Sequence, residues 1–97
     1  MYYILDKKGN VKKESDVIKW AKWFEKSDRI IARTNINDVI VSTVFLGVDM
    51  SFNKKKPVLF ETMIFGGDYD QEQERYYTKK EAIIGHKRMV KMVNRNN

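Results

Sequence analysis

Val39-Ile40-Val41-Ser42-Thr43-Val44-Phe45-Leu46-Gly47-Val48 is the stretch on which the fold turns. Apolar and β-branched residues fall on both of its alternating faces, the pattern of a central strand covered on each side. It is about half as long as a membrane span, and Ser42 and Thr43 interrupt it, so it reads as a buried strand.

Downstream, Ser51 to Pro57 is a polar loop carrying Lys54-Lys55-Lys56, and Val58 to Phe65 reads as a second strand. Gly66-Gly67 breaks it and opens an acidic loop from Asp68 to Glu74, after which Arg75-Tyr76-Tyr77 returns as a short strand. Thr78-Lys79-Lys80-Glu81 then matches a capping box. Ala82, Ile83, His86, Met89, Val90 and Val93 share one helical stripe, which predicts a helix over 79–93.

Upstream, Asn35-Ile36-Asn37-Asp38 supplies a turn, and Arg29 to Thr34 is β-like. Ser15 is the expected N-cap of a helix over 16–27, with Val17, Trp20, Ala21 and Phe24 inward, Trp23 at the border and Lys19, Lys22 and Lys26 opposite. Tyr2 to Leu5 and Val11 to Lys13 flank a Gly9-Asn10 turn and form a hairpin. The expected fold is therefore one α+β domain over 1–97. It comprises a small antiparallel sheet of about four to five strands packed against two amphipathic helices, in the order β-hairpin, α, antiparallel β-strands, α.

The 97 residues contain no cysteine, so disulfides, thiolate nucleophiles and thiolate metal sites are excluded, and a reducing compartment fits. Hydrophobic residues at 42% and charged residues at 33% describe a folding chain rather than a disordered one. No signal-peptide pattern precedes the first strand, and a cytoplasmic, non-membrane protein is expected. A net charge of +6 biases the surface toward anionic partners: nucleic acid, a nucleotide, or a protein with an acidic face.

Val41-Ser42-Thr43-Val44-Phe45-Leu46-Gly47-Val48-Asp49 followed by Pro57-Val58-Leu59-Phe60-Glu61-Thr62-Met63-Ile64-Phe65-Gly66-Gly67 resembles a family of small uncharacterised proteins encoded mainly in phages and prophages. Trp20 to Glu25, Arg75 to Thr78, Glu81-Ala82 and Gly85-His86 extend the resemblance over most of the chain. Family members often have a histidine after the aspartate and a glycine-rich loop before the proline; Met50 and Lys54 to Lys56 stand there in this chain. The resemblance brings no established activity. It implies a phage accessory protein acting inside a bacterial host cell.

Among residues able to carry chemistry, His86 is the only histidine, and its apolar stripe suits a helix histidine hydrogen-bonded to the sheet. Glu61 shares a strand face with Leu59, Met63 and Phe65, so a carboxylate in the core is expected there, structurally paired with an arginine or active in a site. Asp49 at the end of the central strand is a turn former or a functional carboxylate. Together Asp49, Glu61 and His86 would make the weak catalytic set of a metal-assisted hydrolase, if they converge. The alternating acids at 68–74 lack the calcium-loop frame, and no cofactor motif is present.

Three basic clusters remain: Lys19, Lys22 and Lys26; Lys54, Lys55 and Lys56; and Lys87, Lys91 and Arg95. Tyr2, Tyr3, Trp23, Tyr76 and Tyr77 are the aromatics that could stack beside them. The leading expectation is a non-enzymatic protein that binds a host protein or nucleic acid through this basic surface, in host takeover or counter-defence. Sequestration of an anionic nucleotide is the alternative, and unpaired sheet edges leave room for a homodimer.

Overall fold

The computed structural model describes residues 1–52 and 55–95. The chain is α+β. A two-stranded hairpin of β1 (Tyr3–Leu5) and β2 (Val11–Lys13) leads into helix α1 (Val17–Lys26). A four-stranded antiparallel meander follows, β3 (Ile30–Ile36), β4 (Val39–Phe45), β5 (Phe60–Phe65) and β6 (Gln73–Tyr76), and helix α2 (Lys79–Arg95) closes the chain. The strands are thus divided between two sheets, and an isolated Tyr2–Val48 bridge links the hairpin to the segment that follows β4.

Local chemistry accounts for most boundaries. Asp16, not Ser15, caps α1, its carboxylate accepting from the amides of Ile18 (2.9 Å) and Lys19 (3.3 Å). The expected capping box starts α2: Glu81 accepts from the Thr78 amide and Thr78 Oγ1 accepts from the Glu81 amide, both at 3.1 Å. Strand β4 stops at Phe45, before the expected Val48, because Gly47 has a φ of +76° and turns the chain out of the ladder. The β3–β4 turn uses Asn37 at a φ of +54°, a conformation asparagine tolerates.

Burial alternates along β4, with Val39, Val41, Thr43 and Phe45 buried and Ile40, Ser42 and Val44 half-buried. Helix α2 lies on the buried face and touches all four strands. No described element covers the other face, so the expectation of a strand covered on both sides is corrected to a one-sided sheet with apolar residues on its open face as well. A bulge at Ile31 lets Ile30 pair opposite Val44 on the open face while Ile31 turns into the core.

Two clusters fill the core. Tyr3, Phe45, Leu59, Phe60, Tyr76 and Ala82 pack where the hairpin and the start of α2 meet; Val39, Val41, Ile64, Met89 and Val93 pack under the end of α2. Ile83, expected on the inward stripe of α2, is exposed. Helix α1 is peripheral and buries no residue completely. Its packing face is rotated from the expected one: Trp20, Trp23 and Phe24 turn inward, whereas Val17 and Ala21 are exposed. The reason is the Trp20 indole, which donates to the carbonyls of Tyr3 (3.1 Å) and Gly47 (3.0 Å) and so orients the helix.

Gly85 is the tightest point between helix and sheet, since a Cβ there would run into the hydroxyl and ring of Tyr76. Gly85→Ala is expected to cost about 1–3 kcal/mol through overpacking. In urea unfolding, the cost of Tyr76→Ala should be smaller in the Gly85→Ala background than alone; simple additivity would show that the clash is absent.

Candidate functional site

The polar interior of the domain is a chain of hydrogen bonds beneath α2. Strands β3, β4, β5 and β6 contribute Thr34, Thr43, Thr62 and Tyr76, and α2 contributes His86. His86 Nε2 meets Thr34 Oγ1 at 2.9 Å and Nδ1 meets Thr43 Oγ1 at 2.7 Å. Thr43 and Thr62, direct cross-strand partners, bond through their hydroxyls, and Tyr76 Oη donates to Thr62 Oγ1 at 3.1 Å.

Each hydroxyl has a single hydrogen to give. With Tyr76 donating to Thr62, the run continues Thr62 to Thr43 to His86 Nδ1. Nδ1 is then the acceptor, and the assigned tautomer carries its proton on Nε2, which donates to Thr34. Burial holds the His86 pKa below its usual 6.5, and burial likewise raises that of the Tyr76 phenol. A neutral imidazole suits this chain, because a proton on Nδ1 would require Thr43 and Thr62 to turn round.

The other catalytic candidates lie elsewhere. Glu61 faces the open side of the sheet, not the core, because Phe60, Thr62 and Ile64 are the inward residues of β5. There it accepts a 2.9 Å bond from Nε of its cross-strand partner Arg75. Asp49 lies past the end of β4, where Oδ1 accepts from the amides of Ser51 (2.8 Å) and Val58 (2.9 Å). The Ser51 amide bond and then the Val58 bond hold its pKa below the ordinary carboxylate value. Glu61 and His86 are therefore on opposite faces, Asp49 is committed to a loop, and the catalytic set does not converge. Among the described residues, no three potential ligands gather to hold a metal ion.

The acidic segment also acts locally. Asp70 Oδ1 accepts from the Gly66 amide at 2.7 Å and closes the turn after β5, while Glu74, within β6, pairs with Arg88 of α2.

The basic residues divide by element. Lys19, Lys22 and Lys26 are exposed on α1, Lys87 and Lys91 on α2, and Lys55 and Lys56 in the loop before β5; Lys54 lies outside the described residues. Of the candidate stacking aromatics, Tyr3 and Tyr76 are core residues. Tyr2 packs on Trp20, and Trp23 meets Phe45 edge-on. Only Tyr77 presents an exposed ring, with Lys56 Nζ 5.6 Å from its centre.

One arrangement extends the expected cluster of Lys87, Lys91 and Arg95 toward the start of the helix. Lys80, Ile84, Lys87, Lys91 and Arg95 are all exposed on the side of α2 opposite its buried residues, a stripe of spacing i, i+4, i+7, i+11, i+15. Its signal was present in that spacing, but only the buried stripe shows which lysines align. None of the four cations has a carboxylate within ion-pair distance among the described residues. The hairpin turn approaches the start of this stripe, Gly9 lying beside Lys79 Nζ.

A scan of family models gives no match to this chain, nor does comparison with curated proteins or with solved structures. No helix of the described residues is long and apolar enough to cross a membrane.

The His86 chain has a pH signature. Because the folded-state pKa lies below 6.5, the unfolded state takes up the proton first on acidification. Stability is then full above about pH 6.5 and falls as pH drops toward the folded pKa. Urea unfolding between pH 8 and 5 should show this slope and His86→Gln should flatten it; an unchanged slope would assign it to other groups. Thr43→Val should cost about 1–3 kcal/mol by leaving His86 Nδ1 and Thr62 without their partner.

Proposed function

We propose that this protein acts by binding rather than catalysis, and that its partner is an anionic macromolecule laid along the outer face of α2. The observation that carries the reading is the straight run of Lys80, Lys87, Lys91 and Arg95, four exposed cations with no carboxylate paired to them among the described residues. At 1.5 Å per residue the run is about 22 Å long. That length matches roughly six base-pair steps at 3.4 Å, so a nucleic-acid backbone is the partner that fits. Lys79 and the adjoining hairpin, with exposed Lys7 and Lys8, continue the charge past the start of the helix.

Arg95 in the last turn also complements the helix dipole, but Lys80 in the first turn opposes it, so the stripe is not explained by helix stability alone. The separation of Asp49, Glu61 and His86 supports a non-catalytic role. The resemblance to phage-encoded proteins adds the setting: an accessory protein in the cytoplasm of a bacterial host, serving takeover or counter-defence. An acidic-faced host protein would use the same stripe and is the second reading.

Fluorescence anisotropy with single- and double-stranded oligonucleotides across a salt series tests the proposal. Lys80→Glu/Lys87→Glu/Lys91→Glu should lower the slope of log K against log salt by about three and leave folding intact. Absence of binding at low salt would overturn the nucleic-acid reading. Nuclease-resistant capture of one host protein, lost in the same triple variant, would replace it with the protein reading.

A further inference from the structure

Away from α2, a cleft of about 650 Å³ opens between the hairpin and the loop that joins β4 to β5. Tyr3 and Lys13 line the hairpin side, and Asp49, Ser51, Lys55 and Pro57 line the loop side. That size is ordinary for a small-molecule site. The geometry points to a binding site for a small organic phosphate of nucleotide size, distinct from the α2 stripe and independent of it.

The walls are built rather than incidental. Tyr3 and Lys13 are direct cross-strand partners, so both side chains rise from one face of the hairpin with Cβ atoms about 5 Å apart. The Tyr3 backbone is held on both sides: its amide donates to the Gly47 carbonyl at 2.9 Å, and its carbonyl accepts from Trp20. The opposite wall is pinned by Asp49, whose Oδ1 ties the Ser51 and Val58 amides together, and by the Met50 amide, which donates to the Val58 carbonyl at 3.0 Å.

Between these walls the chemistry is selective. Ser51 Oγ is buried yet meets no partner with hydrogen-bond geometry among the described residues. The Ser51 side chain also helps to hold the Asp49 pKa below the ordinary carboxylate value, after the Ser51 and Val58 amides, so Asp49 is the group a ligand oxygen would share it with. A buried hydroxyl without a partner is costly, and a ligand oxygen at that point would relieve it. Lys13, exposed on the hairpin wall, supplies an ammonium group for a phosphate, and Lys55 adds positive charge on the loop wall. Met1 and Pro57 add apolar lining against which the organic part of such a ligand can pack. Asp49 opposes a purely anionic guest, so the site calls for a ligand with a polar, hydrogen-bonding part as well as a phosphate; a nucleotide has both.

The test is amide chemical-shift titration of the labelled protein with inorganic phosphate, ribose 5-phosphate and the nucleoside monophosphates. A nucleotide is expected to move the Lys13 and Ser51 signals, with a dissociation constant below ~1 mM. Inorganic phosphate should bind more weakly at the same residues. Lys13→Glu, on a fully exposed strand, should abolish the shifts. Ser51→Ala should weaken binding about tenfold while leaving thermal stability equal or higher, since it removes an unsatisfied hydroxyl. Shifts confined to the α2 lysines, or none at roughly ten times that concentration, would overturn the site, as would Ser51→Ala leaving affinity unchanged.

Discussion

The hydrogen-bonded chain through His86 is the constraint from which the rest of this architecture follows. A helix can lie on a sheet in many rotations and registers if both surfaces are merely apolar. Here α2 must bring an imidazole to the point where Thr34 and Thr43 meet it, and that allows a single placement. Every strand of the meander is bound into the same chain, so displacement of one strand leaves buried hydroxyls unsatisfied on its neighbours. The two apolar clusters sit on either side of this polar row and supply the burial that makes the placement stable.

Close approach follows from the same requirement. For Tyr76 to reach Thr62 beneath the helix, its ring must pass where a side chain would ordinarily project, and Gly85 vacates that space. Glu74 and Arg88 close the edge of the sheet just outside. The histidine thus has a structural occupation complete enough to explain its position, and burial tunes it toward neutrality, as the chain needs.

Function, on this reading, lies where the core's demands end. The open sheet face spends its one acid, Glu61, on Arg75, and the hairpin and α1 are fastened by Trp20. What these interactions leave uncommitted is charge on the outside of α2 and a partly satisfied cleft beside the hairpin. A basic surface and a rigid scaffold are consistent with recognition, and carboxylates held by backbone amides or by arginine are poor material for acid–base work.

Local interactions made much of this readable from the residues. The Thr78–Glu81 box, the Gly9 turn, the Asn37 turn and the break at Gly66-Gly67 involve neighbours in sequence, so the elements and their order could be stated from the chain alone. The same holds for the α+β class, the positive surface and the lack of any thiol chemistry. Which face of β5 turns inward could not be read, because Met63 and Phe65 beside Glu61 look as apolar as Phe60 and Ile64 beside Thr62. That choice depends on Thr62 finding Thr43 and Tyr76, partners brought from other strands. The rotation of α1 likewise hangs on carbonyls 17 and 27 residues from Trp20. Only tertiary structure decides such matters, since a hydrogen bond between distant segments leaves no periodicity in either one.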